Sequence, residues 1–197
     1  ALKFWKHLIT IWKAERFKMN LPNKLTVARI IATPFFIVTY MRDMFIISLI
    51  IFILASVTDM VDGKIARKYD LITDFGKIMD PLADKVLVYS AFCLLVGDAI
   101  IPSWAFIIIL AREFLIAGMR TVAASQGIVI AAGMAGKVKT VVQMIAVPIL
   151  ILALSMKESS YYPFVWYTAQ FLIYASVVMN VYSGGEYVLK NKSVFKQ

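Results

Sequence analysis

Six of the chain's 12 acidic residues fall within residues 59–85, DMVDGKIARKYDLITDFGKIMDPLADK. Four of them have spacings suited to chemistry. Asp59 and Asp62 stand three apart, and Asp80 and Asp84 four apart, so on helices each pair shares one face. A short turn near residues 70–76 lets both faces converge on one pocket. Acids inside a membrane cost several kcal/mol unless paired, so the cluster needs a counter-charge. No histidine or thiolate joins it. Carboxylate-only ligands suit hard cations, Mg²⁺ or Mn²⁺, rather than zinc. Four acids exceed what one Mg²⁺ takes, which predicts two ions. Such two-metal sites serve displacement at phosphorus, where attacking and leaving oxygens both need stabilising.

Gly63, Ala66 and Gly76 interleave with the acids and leave room for a bulky ligand against backbone. Arg67 lies in line with the acidic face and offers a fork of donors to a phosphate. Acids, small residues and an arginine together suggest a diphosphate-containing substrate. The alternatives are buried ion pairs with Lys64, Arg67, Lys77 and Lys85, or an acid-lined proton or cation path. The full pattern favours the metal site.

The elements that must position these residues follow from composition. The chain has 197 residues, 61% hydrophobic and 17% charged, with a mean hydropathy of +0.78. A soluble domain runs closer to half apolar and a quarter charged. Among the charge-free stretches only 159–185 exceeds the roughly 20 residues that cross a bilayer. The other spans must therefore carry charges at or near one end. Backbone polar groups must be satisfied inside lipid, which favours helices; no sustained period-2 alternation supports a barrel. The expected fold is an all-α integral membrane domain over 20–197, with six transmembrane helices at 23–42, 44–69, 77–98, 102–126, 135–157 and 163–189. Pro22, Pro102 and Pro163 mark helix starts, and Gly97, Gly127, Gly133 and Gly136 mark turns. Gly184 and Gly185 are expected to end the last helix.

Six spans put the loops near 42, 99 and 158 on one side, with Arg42 and Lys157 as that side's only basic residues among 21. The opposite side is therefore cytoplasmic. Residues 1–19 read as an N-terminal amphipathic helix at the interface, with Trp5, Leu8, Ile9 and Trp12 at helical spacing among basic residues; this segment is either native or appended. The net charge of +9 points to anionic membrane lipids or phosphate substrates rather than nucleic acid. Cys93, the one cysteine, is expected to be a small buried hydrophobe.

Asp59-x-x-Asp62-Gly63-x-x-Ala66-Arg67, eight residues, then Gly76-x-x-x-Asp80-x-x-x-Asp84 resembles the signature of the CDP-alcohol phosphotransferase family. The resemblance extends along residues 20–190. It implies a membrane enzyme, usually a homodimer, with its active site on the cytoplasmic side. It implies that Asp59, Asp62 and Asp80 bind metals and that Asp84 assists one metal and acts as general base. Asp62, Gly63, Ala66, Arg67, Thr73 and Gly76 would hold the cytidine diphosphate moiety of CDP-diacylglycerol. The opening Pro22-Asn23-Lys24-Leu25-Thr26 resembles the family's bacterial lipid synthases, which adds Asn23 and Thr26 as nucleotide-pocket contacts and implies a bacterial plasma membrane.

The second half bears on the acceptor alcohol. Arg112, Arg120, Lys137 and Lys139 lie in near-side halves of expected spans, with only Glu113 as a local acid. A phosphorylated acceptor would supply the missing anion. The strings around these residues are similar to the branch of the family that uses glycerol 3-phosphate. Alternatively, Arg112 pairs with Glu113 or snorkels, and Lys137 and Lys139 obey the positive-inside rule. Other acceptors (serine, inositol phosphate or phosphatidylglycerol), a hydrolase, a lipid-binding scaffold and a cation transporter are the competing functions.

Overall fold

The computed structural model describes residues 20–69, 73–128, 130–131 and 133–192, without the side chains of 60–68, 74 and 77. The expected helix at 1–19 lies outside the described residues. Six helices follow one another: α1 Leu21–Met41, α2 Phe45–Lys68, α3 Asp74–Gly97, α4 Ser103–Ser125, α5 Met134–Ser155 and α6 Tyr162–Lys190. Each matches its expected span to within about three residues at either end. No strand occurs among the described residues. By length and composition, α1, α5 and α6 are long and apolar enough to cross a membrane.

Local chemistry sets the starts. Asn20 caps α1 by accepting the Asn23 N–H at 3.0 Å, with Pro22 in the first turn. Thr73 caps α3, Pro102 precedes α4, and Pro163 lies in the first turn of α6. Prolines there forfeit no intrahelical bond. Tight corners at 42–44 and 98–102 turn α1 into α2 and α3 into α4. Asp43 and Ala99 adopt φ of 57° and 55° at these corners. The Tyr40 hydroxyl donates to Asp98 at 2.9 Å and ties the two corners together.

Three sequence expectations need correction. Gly136 lies inside α5 and Gly184 and Gly185 lie inside α6, which continues to Lys190. Cys93 is exposed on the outer face of α3. In lipid the outer face is apolar too, so an apolar run does not distinguish inward from outward positions.

α5 packs most extensively on α6, and α1 on α2 and α3; α2 also packs on α5, and α4 on α6. The halves of the bundle differ. The half containing the corners is filled by Phe36, Phe52, Phe92, Leu95, Leu150 and Ile173, all buried in one cluster. Phe92 stacks on Phe106 with centroids 5.6 Å apart. Among the described residues the opposite half holds a small apolar cluster of Ile116, Met119 and Tyr187. Polar side chains gather there.

Candidate active site

Two neighbouring regions make up the polar half. The first joins α1, α2 and α3. Thr73 Oγ1 accepts the Gly76 N–H at 3.0 Å and donates to Asn23 Oδ1 at 2.9 Å. The Thr26 hydroxyl donates to Asp80 Oδ1. A Cβ on Gly76 would stand 3.3 Å from Asn23 Oδ1, 3.3 Å from Thr73 Oγ1 and 3.4 Å from Asp80 Oδ2. Only glycine lets the α3 backbone approach this closely without displacing a neighbour. Asn23, Thr26, Thr73, Gly76 and Asp80, separated by up to 57 positions in sequence, thus form one knot.

Asp59 projects from α2 and Asp80 and Asp84 from α3. Asp59 lies within Coulombic reach of both. Its carboxylate is paired with the Arg29 guanidinium of α1 at 2.5 Å. Arg29 is only 2% exposed. Asp62, Gly63, Ala66 and Arg67 continue α2 beyond Asp59; their side chains lie outside the described residues.

The donor chemistry fits a hard divalent cation. Asp59 of α2 interacts electrostatically with Asp80 and Asp84 of α3, and all three offer oxygen only. Among the described residues no three acidic, histidine or cysteine side chains make a ligand set by themselves. Asp62, the remaining acid of the motif, is not among the described side chains.

The second region is a cavity of about 1030 Å³ bounded by α4, α5 and α6 and reaching Asp59. Arg112, Arg120, Lys137 and Lys139 all line it. Glu113 anchors part of this set. Its Oε1 accepts from Arg112 Nη1 at 2.8 Å and from Lys139 Nζ, while Lys85 Nζ stands 3.6 Å from Oε2. The alternative pairing of Arg112 with Glu113 is therefore present, but one carboxylate faces three cations. Arg120 Nε donates to the Tyr187 hydroxyl at 3.2 Å, and its guanidinium lies over the Tyr187 ring at 5.6 Å. Lys137 is exposed on the cavity wall. At the rim Lys190 pairs with Glu186 at 2.5 Å. The lining carries five basic and three acidic side chains, so it favours an anion.

Sequence reasoning did not single out Arg29 or Tyr187. A lone arginine within the apolar α1 was an available signal, because intramembrane cations demand a partner. Tyr187 had no local signal; only the packing of α6 on α4 brings it to Arg120.

Comparison with known proteins covers most of the chain. The family described as CDP-alcohol phosphatidyltransferase matches residues 19–182. A CDP-diacylglycerol–glycerol-3-phosphate 3-phosphatidyltransferase of Bacillus subtilis (strain 168) is 41% identical over 192 residues, covering 90% of this chain and 97% of the relative. A protein of the same description from Rickettsia bellii (strain RML369-C) is 36% identical over 89% of this chain and 97% of its own length. A probable phosphatidylglycerophosphate synthase of Mycobacterium tuberculosis (strain ATCC 25618 / H37Rv) is 33% identical, covering 87% of this chain and 81% of the relative.

Proposed function

This chain belongs to the CDP-alcohol phosphatidyltransferase family, and on that premise we propose that it transfers the phosphatidyl group of CDP-diacylglycerol to glycerol 3-phosphate. The products are phosphatidylglycerophosphate and CMP. The observation that carries this reading is the single cavity that runs from Asp59 to Arg112, Arg120, Lys137 and Lys139. Its basic lining beside Asp59 supports an acceptor pocket next to the acidic motif. Relatives named for the same reaction support it.

The residues divide the work. Arg112, Arg120, Lys137 and Lys139 bind the acceptor phosphate. The acceptor hydroxyl then points toward the acids. Asp84 takes its proton as general base, at a position where a fixed carboxylate is effective. The freed oxygen attacks the phosphorus that bears diacylglycerol. The bond from that phosphorus to the CMP oxygen breaks, and Arg67 offsets charge on the departing CMP. Asn23, Thr26, Asp62, Gly63, Ala66, Thr73 and Gly76 shape the nucleotide pocket. One in-line displacement suffices, without a covalent enzyme intermediate. The family is divalent-metal dependent. Asp59, Asp62, Asp80 and Asp84 would hold two ions, Mg²⁺ or Mn²⁺, which when bound neutralise diphosphate charge.

All six helices cross the membrane in this reading, and the site opens to the cytoplasmic face of a bacterial plasma membrane. Acyl chains stay in lipid, and the chain works as a homodimer. A transporter would need a polar path through the half packed with Phe36, Phe52 and Phe92, which disfavours that class.

The test is CMP release from CDP-diacylglycerol with Mg²⁺ and either glycerol 3-phosphate, serine, inositol phosphate or no acceptor. Release that requires glycerol 3-phosphate and vanishes in Asp84→Asn supports the reading. Release with another acceptor overturns the role of the basic set, and release without acceptor identifies a hydrolase.

A further inference from the structure

Arg112 is held in a narrow slot. A Cβ on Gly184 of α6 would stand 3.1 Å from Arg112 Cγ, and one on Gly136 of α5 would stand 3.2 Å from Arg112 Nη2. The stem of the arginine therefore passes against bare backbone on one side, and its tip does so on another. The Arg112 side chain is largely buried, and Glu113 fixes Nη1 at 2.8 Å. Its Nε is buried with no hydrogen-bond partner among the described residues. A buried guanidinium N–H without a partner is costly, so the geometry of this slot is set by packing rather than by that bond. Arg112 as a whole lines the cavity, where the complement of a guanidinium is an anionic oxygen.

We propose that Gly184 and Glu113 are positioning residues for acceptor recognition. Gly184 leaves the space through which the Arg112 stem passes. Glu113 holds Nη1 and so fixes the plane of the guanidinium on the wall of the cavity that Arg112 lines, where its remaining donors serve the acceptor phosphate. Glu113 also holds Lys139 and faces Lys85, the neighbour of Asp84 in sequence. It thereby links the phosphate-binding cations to the helix that carries the base. This inference rests on the reading of Arg112 as an acceptor-phosphate contact.

Gly185 provides a matched control. It occupies the same helix, and a Cβ there meets nothing within 4 Å. Alanine is the better helix former at both positions, so neither substitution weakens α6 by propensity. The experiment measures KM for glycerol 3-phosphate and for CDP-diacylglycerol in purified full-length Gly184→Ala, Gly185→Ala, Glu113→Gln and Arg112→Lys, with thermal unfolding in the same detergent. Gly184→Ala should raise the acceptor KM by about fivefold to tenfold, and Glu113→Gln, which frees the guanidinium, on the order of tenfold to a hundredfold. Their KM for CDP-diacylglycerol should stay within about twofold, the margin of an uncoupled site. Gly185→Ala should match the parent. Should Gly184→Ala and Gly185→Ala behave alike, or both KM values rise together, the positioning role is overturned even where Arg112→Lys weakens acceptor binding. An unchanged acceptor KM in Arg112→Lys overturns the underlying assignment of Arg112, and the slot's role with it.

Discussion

The Arg29 guanidinium of α1 meets the Asp59 carboxylate of α2 at 2.5 Å, so the first acid of the motif takes its counter-charge from a different helix. The arginine is almost fully enclosed, while the Asp59 side chain is 30% exposed toward the cavity. One partner is therefore structural in its surroundings and the other is open to ligands.

Removing the enclosed partner should be expensive. Arg29→Met should destabilise the fold by about 2 kcal/mol, the order of one hydrogen bond to a charged group, because the Asp59 carboxylate it leaves is only partly buried. Thermal or denaturant unfolding in detergent measures it. Adding Asp59→Asn to Arg29→Met should recover part of the loss. Simple additivity would show that the pair is not coupled.

Thr26→Val keeps the side chain's shape and removes the hydroxyl that donates to Asp80. Partners that orient metal-binding carboxylates typically matter 10–100-fold, so the Mg²⁺ concentration giving half-maximal activity should rise by about tenfold or more. Circular dichroism should stay unchanged. An unaltered Mg²⁺ dependence would separate Thr26 from the metal-binding acids.

Gly76→Ala places a methyl group against Asn23, Thr73 and Asp80 at once. These contacts of 3.3–3.4 Å require the neighbours to give by a few tenths of an ångström. Since about an ångström at a reacting centre can cost roughly a hundredfold in rate, kcat should fall by about tenfold. Gly97→Ala, at the other end of α3 with nothing within 4 Å, should leave kcat as it was.

Arg120→Ala should raise KM for glycerol 3-phosphate far more than KM for CDP-diacylglycerol. Tyr187→Phe removes the hydroxyl acceptor of Arg120 but retains the ring beneath it. It should raise the acceptor KM by about tenfold, as expected for one hydrogen bond to a charged group. Equal changes in both KM values would place Arg120 outside the acceptor pocket.

Chelation of divalent cations should abolish CMP release, and Mg²⁺ or Mn²⁺ should restore it. Zn²⁺ should restore it poorly, because the donors are oxygen only. Activity that persists after exhaustive chelation would refute the metal reading.

The helices were legible because punctuation and charge agree. Pro22, Pro102 and Pro163 stand at helix starts, and the charged ends fall together on one side. The spacing from Asp59 to Asp84 marks the acidic region because helical faces can be read from sequence alone. Arg29 was not, since its partner is 30 residues away and only the packing of α1 on α2 reveals it. Gly136 and Gly184 illustrate another limit. A glycine needed for a turn and a glycine needed for close approach look identical in sequence; the neighbour that distinguishes them, Arg112, comes from another helix. The clustering of Arg112, Arg120, Lys137 and Lys139 was legible as unmatched charge. The role of Glu113 as a shared anchor for Arg112 and Lys139 was not, because a single acid beside a single arginine suggests an isolated pair.

The apolar packing of Phe36, Phe52 and Phe92 bears on membrane economy. For the proposed reaction, the diacylglycerol anchor arrives and departs through the same monolayer, since that packing gives a polar headgroup no passage to the other face. Each turnover exchanges one headgroup for another on an anchor that never leaves its leaflet. The monolayer's lipid number stays constant while its surface charge changes. New phosphatidylglycerophosphate therefore starts with complete transverse asymmetry, and its appearance on the opposite surface depends on a separate flipping step.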